Sequence, residues 1–132
     1  MSKYMTFNGV VFKDRDLLIG ALEDIGCKEI RQSENLEMGR YYSDQLPQRA
    51  EIIIPRNTIG NYYGDIGFRR SENGDYTPVI DNLDQSHVLK GQLISRLRAA
   101  YNERVVGKVA ARLRGTAQRS VEGGVVKIRV RY

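Results

Sequence analysis

A chain of 132 residues, 41% hydrophobic and 28% charged, is long enough for one hydrophobic core and too apolar for a disordered tail. Its one cysteine, Cys27, excludes an intrachain disulfide framework and a cysteine-built zinc site, and its one histidine, His87, leaves no paired metal ligands. No run approaches the roughly 18 apolar residues of a membrane span and the N-terminus has no apolar leader, so the expectation is a single-domain cytoplasmic protein, with no membrane as partner.

The charge is divided unevenly. Residues 1–85 carry 10 Lys and Arg against 14 Asp and Glu, a net of −4, whereas residues 86–132 carry 11 against 2, a net of +9. Arginine outnumbers lysine 15 to 6. Planar, bidentate recognition of phosphate or carboxylate favours that bias.

In chain order, residues 4–12 read as a strand of aromatic and β-branched residues. Asp14 then caps a short helix whose apolar face is Leu17, Leu18, Ala21, Leu22 and Ile25, with Gly26 at its C-terminal stop. Residues 28–31 begin a second strand and residues 32–49 read as irregular. Residues 51–54 form a short apolar strand ended by Pro55. Residues 62–70 form another, with Ile66 and Phe68 on one face and Tyr63, Asp65 and Arg69 on the other. Asn73-Gly74 marks a hairpin to residues 76–80, where Pro78 predicts an edge or a bulge. Residues 81–86 read as a connector.

Residues 88–113 read as a long helix with Leu89, Leu93, Leu97, Tyr101, Val105, Val109 and Leu113 recurring every four residues. Gly107 interrupts it as a bend or a tight packing point. A hairpin closes the chain, from residues 117–121 through Gly123-Gly124 to residues 125–132. The expected class is α+β: a mainly antiparallel sheet, a short N-terminal and a long C-terminal helix packed on one face, and the other face open to a partner.

Catalytic constellations are scarce. His87 lies beside Ser86 at the edge of the long helix, with no orienting partner indicated. No phosphate-cradling glycine loop occurs, and no cofactor is implied. Binding features are stronger. In residues 126–132 the apolar residues alternate with Lys127, Arg129 and Arg131, which places three cations on one side at about 7 Å spacing. Arg104, Lys108 and Arg112 form a second basic row on the helix, at helical spacing. Tyrosine occurs 8 times, with doublets at Tyr41-Tyr42, next to Arg40, and Tyr62-Tyr63. A tyrosine face accepts a base, while arginine stacks or pairs with phosphate.

The segment Gly64-Asp65-Ile66-Gly67-Phe68-Arg69-Arg70, followed by Asn73-Gly74-Asp75-Tyr76 and Asp81, resembles the hallmark hairpin of a domain-of-unknown-function family that includes the hypothetical chloroplast open reading frame thirty-five protein. The resemblance continues through Leu97, Tyr101 and Val105 to Val126-x-Ile128-x-Val130-x-Tyr132, about half the chain. The family usually carries tryptophans after the hairpin aspartate and at its end, where this chain has Asn82-Leu83-Asp84 and Tyr132. Those departures suit a divergent, phage-encoded member. The resemblance implies a non-enzymatic accessory role and, from its cellular members, partnership with AAA-type ATPases.

Together these readings predict a non-catalytic, homo-oligomeric protein that sequesters a small anionic nucleotide. In a phage setting that means a sponge for cyclic nucleotide immune signals in the host cytoplasm. The expected ligand residues are Arg69, Lys127, Arg129 and Arg131 for phosphates, with Arg40, Tyr41, Tyr42, Arg56, Tyr62 and Tyr63 for bases and rim contacts. The alternatives are an RNA-binding domain on the same basic surface and an adaptor docking on an ATPase through the acidic N-terminal half.

Overall fold

The computed structural model describes residues 3–40 and 47–120, with side chains as far as Arg114. Five strands, β1 (Tyr4–Thr6), β2 (Arg31–Glu37), β3 (Arg49–Ile54), β4 (Ile66–Arg70) and β5 (Tyr76–Asp81), form one antiparallel sheet in the order β1-β5-β4-β3-β2. Three helices accompany it, α1 (Arg15–Asp24), α2 (Asn82–His87) and α3 (Leu93–Ser120). The α+β class and the mainly antiparallel sheet stand as expected.

Local chemistry sets the element ends. Asp14 caps α1, its Oδ1 accepting the Leu17 N–H at 3.0 Å. Gly26 follows at φ 108°, a left-handed stop that glycine adopts without cost. Leu18, Ala21 and Leu22 of α1 are buried against Ile52, Ile54, Ile66, Phe68 and Ile80 on one face of the sheet, with Leu93 and Leu97 of α3. Phe12 sits edge-on to Phe68 and Tyr101, with ring centroids 6.1 and 5.1 Å away. Edge-to-face pairs of this kind add about 0.5–1.5 kcal/mol each beyond their burial.

The N-terminal strand is shorter than expected, and Pro78 is the reason. β5 lies inside the sheet, between β1 and β4, not at an edge. Phe7 donates its N–H to the Pro78 carbonyl at 3.1 Å, so the proline nitrogen faces the same neighbour and has no proton to return. The ladder stops there. The chain turns at Asn8-Gly9, with the Val10 N–H on the Phe7 carbonyl, and rejoins β5 where Phe12 and Tyr76 exchange bonds of 2.9 and 2.8 Å.

Other boundaries also move. Part of the segment expected to be irregular is the edge strand β2, whose pairing with β3 shifts register between Gln32 and Leu36, near Asn35 at φ 58°. β4 begins at Ile66, so residues 62–65 stand outside it. The expected connector is α2, capped by Asp81, whose Oδ1 accepts the Leu83 N–H at 2.9 Å. A 3-10 turn over Val88–Gly91 follows, with Leu89, Lys90 and Gly91 all at positive φ, so the long helix starts only at Leu93. It then continues to Ser120, which replaces the first arm of the expected hairpin with helix. No glycine or proline other than Gly107 and Gly115 interrupts that run, and a Cβ added at Gly107 would meet nothing within 4 Å, so it is no packing point. The Gly123-Gly124 turn and the strand at 125–132 lie outside the described residues.

The second sheet face is not open as expected. Met38, Ala50, Ile53 and Val79 form a smaller buried cluster there, with Tyr4 and Leu36 alongside. Gly67 admits Met38, because a Cβ at that position would fall 2.5 Å from the methionine sulfur.

Candidate functional site

At the end of the sheet where β4 begins, four chain segments meet: β1, the residues after β2, the loop from Arg56 to Gly64, and the start of α2. Met38, Tyr4 and Ile59 anchor three of them to the apolar clusters, and the rest of each segment is mostly polar. What joins them is a set of buried polar side chains. Asn61, Asp65, Asp81 and Asp84 are the buried polar or charged residues of the described structure.

Their partners are mostly backbone groups. Asp65 accepts the Gly39 N–H on Oδ2 at 2.7 Å and the Arg56 N–H on Oδ1 at 2.8 Å, tying the segment after β2 to the segment after β3. Asp84 accepts the Tyr63 and Gly64 N–H groups, both at 3.0 Å, tying the loop to α2. The Asn61 amide donates to the carbonyls of Ile54, Pro55 and Gly64 and so closes the loop on itself. A buried carboxylate is tolerable when such donors replace its water. Burial pushes the Asp84 carboxyl above its ordinary value, the Tyr63 and Gly64 N–H groups pull it back, and neighbouring Asp81 adds to the rise.

Tyr4 crosses the sheet to the same place. Its hydroxyl donates to the Gly39 carbonyl at 2.7 Å. Burial first, then the carboxylates of Asp65, Asp81 and Asp84, hold the phenol protonated far above its ordinary range, while Arg40 acts the other way. The ring lies over Gly64, where a Cβ would overlap the phenol oxygen. Gly64 also bridges Arg40 across the gap.

Over this acidic floor sits a rim of arginine and tyrosine. Arg56 donates from Nε to the Tyr62 carbonyl at 2.9 Å and from Nη1 to the Arg40 carbonyl at 3.4 Å. Its guanidinium lies 5.9 Å from the centre of the Tyr62 ring. Tyr62 meets Tyr63 edge-on at 5.1 Å and is 47% exposed. Arg40 reaches Glu37 at 3.5 Å through Nη1, but its Nε is buried with no partner among the described residues. The rim therefore sets Arg40, whose side chain is 22% exposed, and Arg56 beside an open aromatic face.

Residues 21–127 match the family model described as Protein of unknown function (DUF1257). The chain belongs to that family. No curated protein and no solved structure matches it.

Within this DUF1257 member, Arg40, Arg56, Tyr62 and Tyr63 lie together. Arg69 is not with them. Its Nε donates to the Arg49 carbonyl at 3.2 Å and its Nη2 to Gln48 Oε1 at 2.7 Å, five residues along β4 from Gly64, or about 16 Å. Tyr41, Tyr42, Lys127, Arg129 and Arg131 lie outside the described residues. Two residues of the helix row pair with α1: Arg104 forks onto Asp24 at 2.6 and 2.8 Å, and Lys108 reaches Asp14 at 3.2 Å. Sequence reasoning missed Tyr4, Asn61, Asp65 and Asp84 as site residues. Asp65, directly before the apolar run Ile66-Gly67-Phe68, was the one visible clue.

Proposed function

We propose that this protein binds a phosphate-bearing nucleotide at the Arg40–Arg56–Tyr62–Tyr63 rim and holds it without converting it. The observation that carries the reading is the meeting of Arg40 and Arg56 beside the exposed Tyr62 ring. Guanidinium groups pair with phosphate through parallel, charge-assisted hydrogen bonds. Tyr62 offers its exposed ring for a base, as in other base-stacking sites. Backbone N–H groups on Asp65 and Asp84 offset part of the negative charge below the rim. In a phage setting this is a sponge for cyclic nucleotide signals of the host, working by stoichiometric capture and assembled from several copies.

A thermal-shift series against cyclic di- and trinucleotides and short RNAs tests it. At about 100 times the dissociation constant, a ligand of the folded state adds about 2.7 kcal/mol, which for a domain this size raises the melting temperature by roughly 10 °C. Arg40→Ala should abolish the shift, and denaturation should release the nucleotide intact. If no nucleotide moves the melting temperature, the reading fails.

A further inference from the structure

The apolar residues of α3 recur every four positions, whereas an α-helix turns once in 3.6 residues. Each step of four therefore overshoots by about 40°, and the four steps from Leu97 to Leu113 carry the stripe about 160° around the helix. The burial follows the rotation. Leu93 and Leu97 are 1% and 0% exposed within the core, and Tyr101 packs against its border. Val105, Val109 and Leu113 are only partly buried and belong to neither core cluster.

The face they vacate is taken by cations. Arg104 and Lys108 point where Leu93 and Leu97 pointed and pair with Asp24 and Asp14 of α1. The Tyr101 hydroxyl accepts the Lys13 and Asp14 N–H groups at 3.1 and 3.0 Å. α1, about 15 Å long, thus sits across the first half of a helix about 42 Å long. Val105, Val106, Val109, Ala110 and Leu113 form an apolar band turned away from it. Exposed Arg98 and Arg114 lie beside this band.

We propose that this band is a docking surface for an acidic amphipathic helix of another protein. Charge selects the occupant. α3 carries seven cations and one acid, Glu103; Arg104 and Lys108 pair with α1, and Arg96, Arg98 and Arg114 stand exposed. A second copy of α3 would bring the same cations against them. An anionic membrane suits a basic helix too, but insertion draws on large aromatic and leucine side chains, and this band is mostly valine and alanine. A partner helix with apolar anchors at helical spacing and flanking glutamates satisfies both the band and its rim. The proposal is independent of Arg40 and of any nucleotide.

The test uses the full chain and a fluorescent synthetic peptide of about 18 residues, with leucines at i, i+3, i+4 and i+7 and glutamates on its flanks. A peptide of the same composition with the stripe scrambled serves as control. The intact stripe should bind in the micromolar range, weaken with salt, and lose about ten-fold or more with V109E/L113E, as anchor losses do. Arg98→Glu with Arg114→Glu, both at exposed positions, should weaken it while leaving the melting temperature unchanged. Equal binding of the scrambled peptide, or none, overturns the proposal. So does a dimer in sedimentation that V109E/L113E dissolves, which would give the band to a second copy. Preference for phosphatidylserine vesicles over the peptide would overturn it as well.

Discussion

Gly64 carries a constraint out of proportion to its size. Its backbone donates to Asp84 and bridges Arg40, and the space where a side chain would begin is filled by the Tyr4 phenol. Neither neighbour yields easily, because the Tyr4 hydroxyl is itself bonded to Gly39. Gly64→Ala should therefore destabilise the fold by about 1–3 kcal/mol, the usual range for overpacking. Urea denaturation measures it, and adding Tyr4→Phe, which removes the phenol oxygen nearest the new methyl, should recover part of the loss. If Gly64→Ala alone is neutral, the ring is not held in place. Asp65, Asp84 and Asn61 were illegible in the sequence as a group for a related reason. They are partnered by backbone groups, and backbone partners leave no side-chain pattern to read.

At the level of elements, the α1–α3 contact is an electrostatic clamp on an apolar seam. The Leu17 N–H, and then Lys108, lower the Asp14 carboxyl below its ordinary 3.8, and the Arg104 hydrogen bond lowers Asp24. Folded values below the unfolded ones mean that the unfolded chain takes up protons first as pH falls. The stabilisation is complete above the unfolded value of 3.8 and is lost as pH drops through the lowered folded values. Melting temperatures measured across that acid window should fall, and Asp14→Asn with Asp24→Asn should flatten the fall. An unchanged slope in the double variant would show that the two pairs contribute nothing.

The same contact shows why elements were read unequally well. α1 was legible because its cap, its apolar face and its stop residue are all local. The hairpin between β4 and β5 was legible from Asn73-Gly74. β2 was not, since its residues are almost all exposed and an edge strand wet on both sides shows no alternation. Pro78 misled because its missing proton looks like a strand edge, when it only ends the pairing with β1 a residue beyond Thr6. The basic row of α3 misled because a stripe of period four changes face along its length.

For the molecule as a whole, the division of charge, −4 before residue 86 and +9 after it, is used partly inside the fold. Arg104 and Lys108 of the basic part meet Asp24 and Asp14 of the acidic part, which leaves fewer cations for a polyanion. A nucleotide held at Arg40 by one or two phosphates should therefore show a shallow salt dependence. Raising salt from about 50 to 200 mM should cost no more than about ten-fold in affinity, where six to ten phosphate contacts cost about 10³–10⁵. Titration calorimetry at the two salt concentrations measures this. A steep slope would favour RNA over a small nucleotide.

The suspension of two distant segments from the single carboxylate of Asp65 has one further consequence. Gly39 and Arg56 are held through their main-chain N–H groups, as are Tyr63 and Gly64 through Asp84. These ties do not depend on which side chains stand at Arg40, Tyr62 and Tyr63, whereas the Arg56 side chain adds bonds of its own to the Tyr62 and Arg40 carbonyls. Such a scaffold separates architecture from specificity, much as an antibody framework does for its variable loops. Rim residues can be exchanged while the carboxylates beneath keep the loops in register.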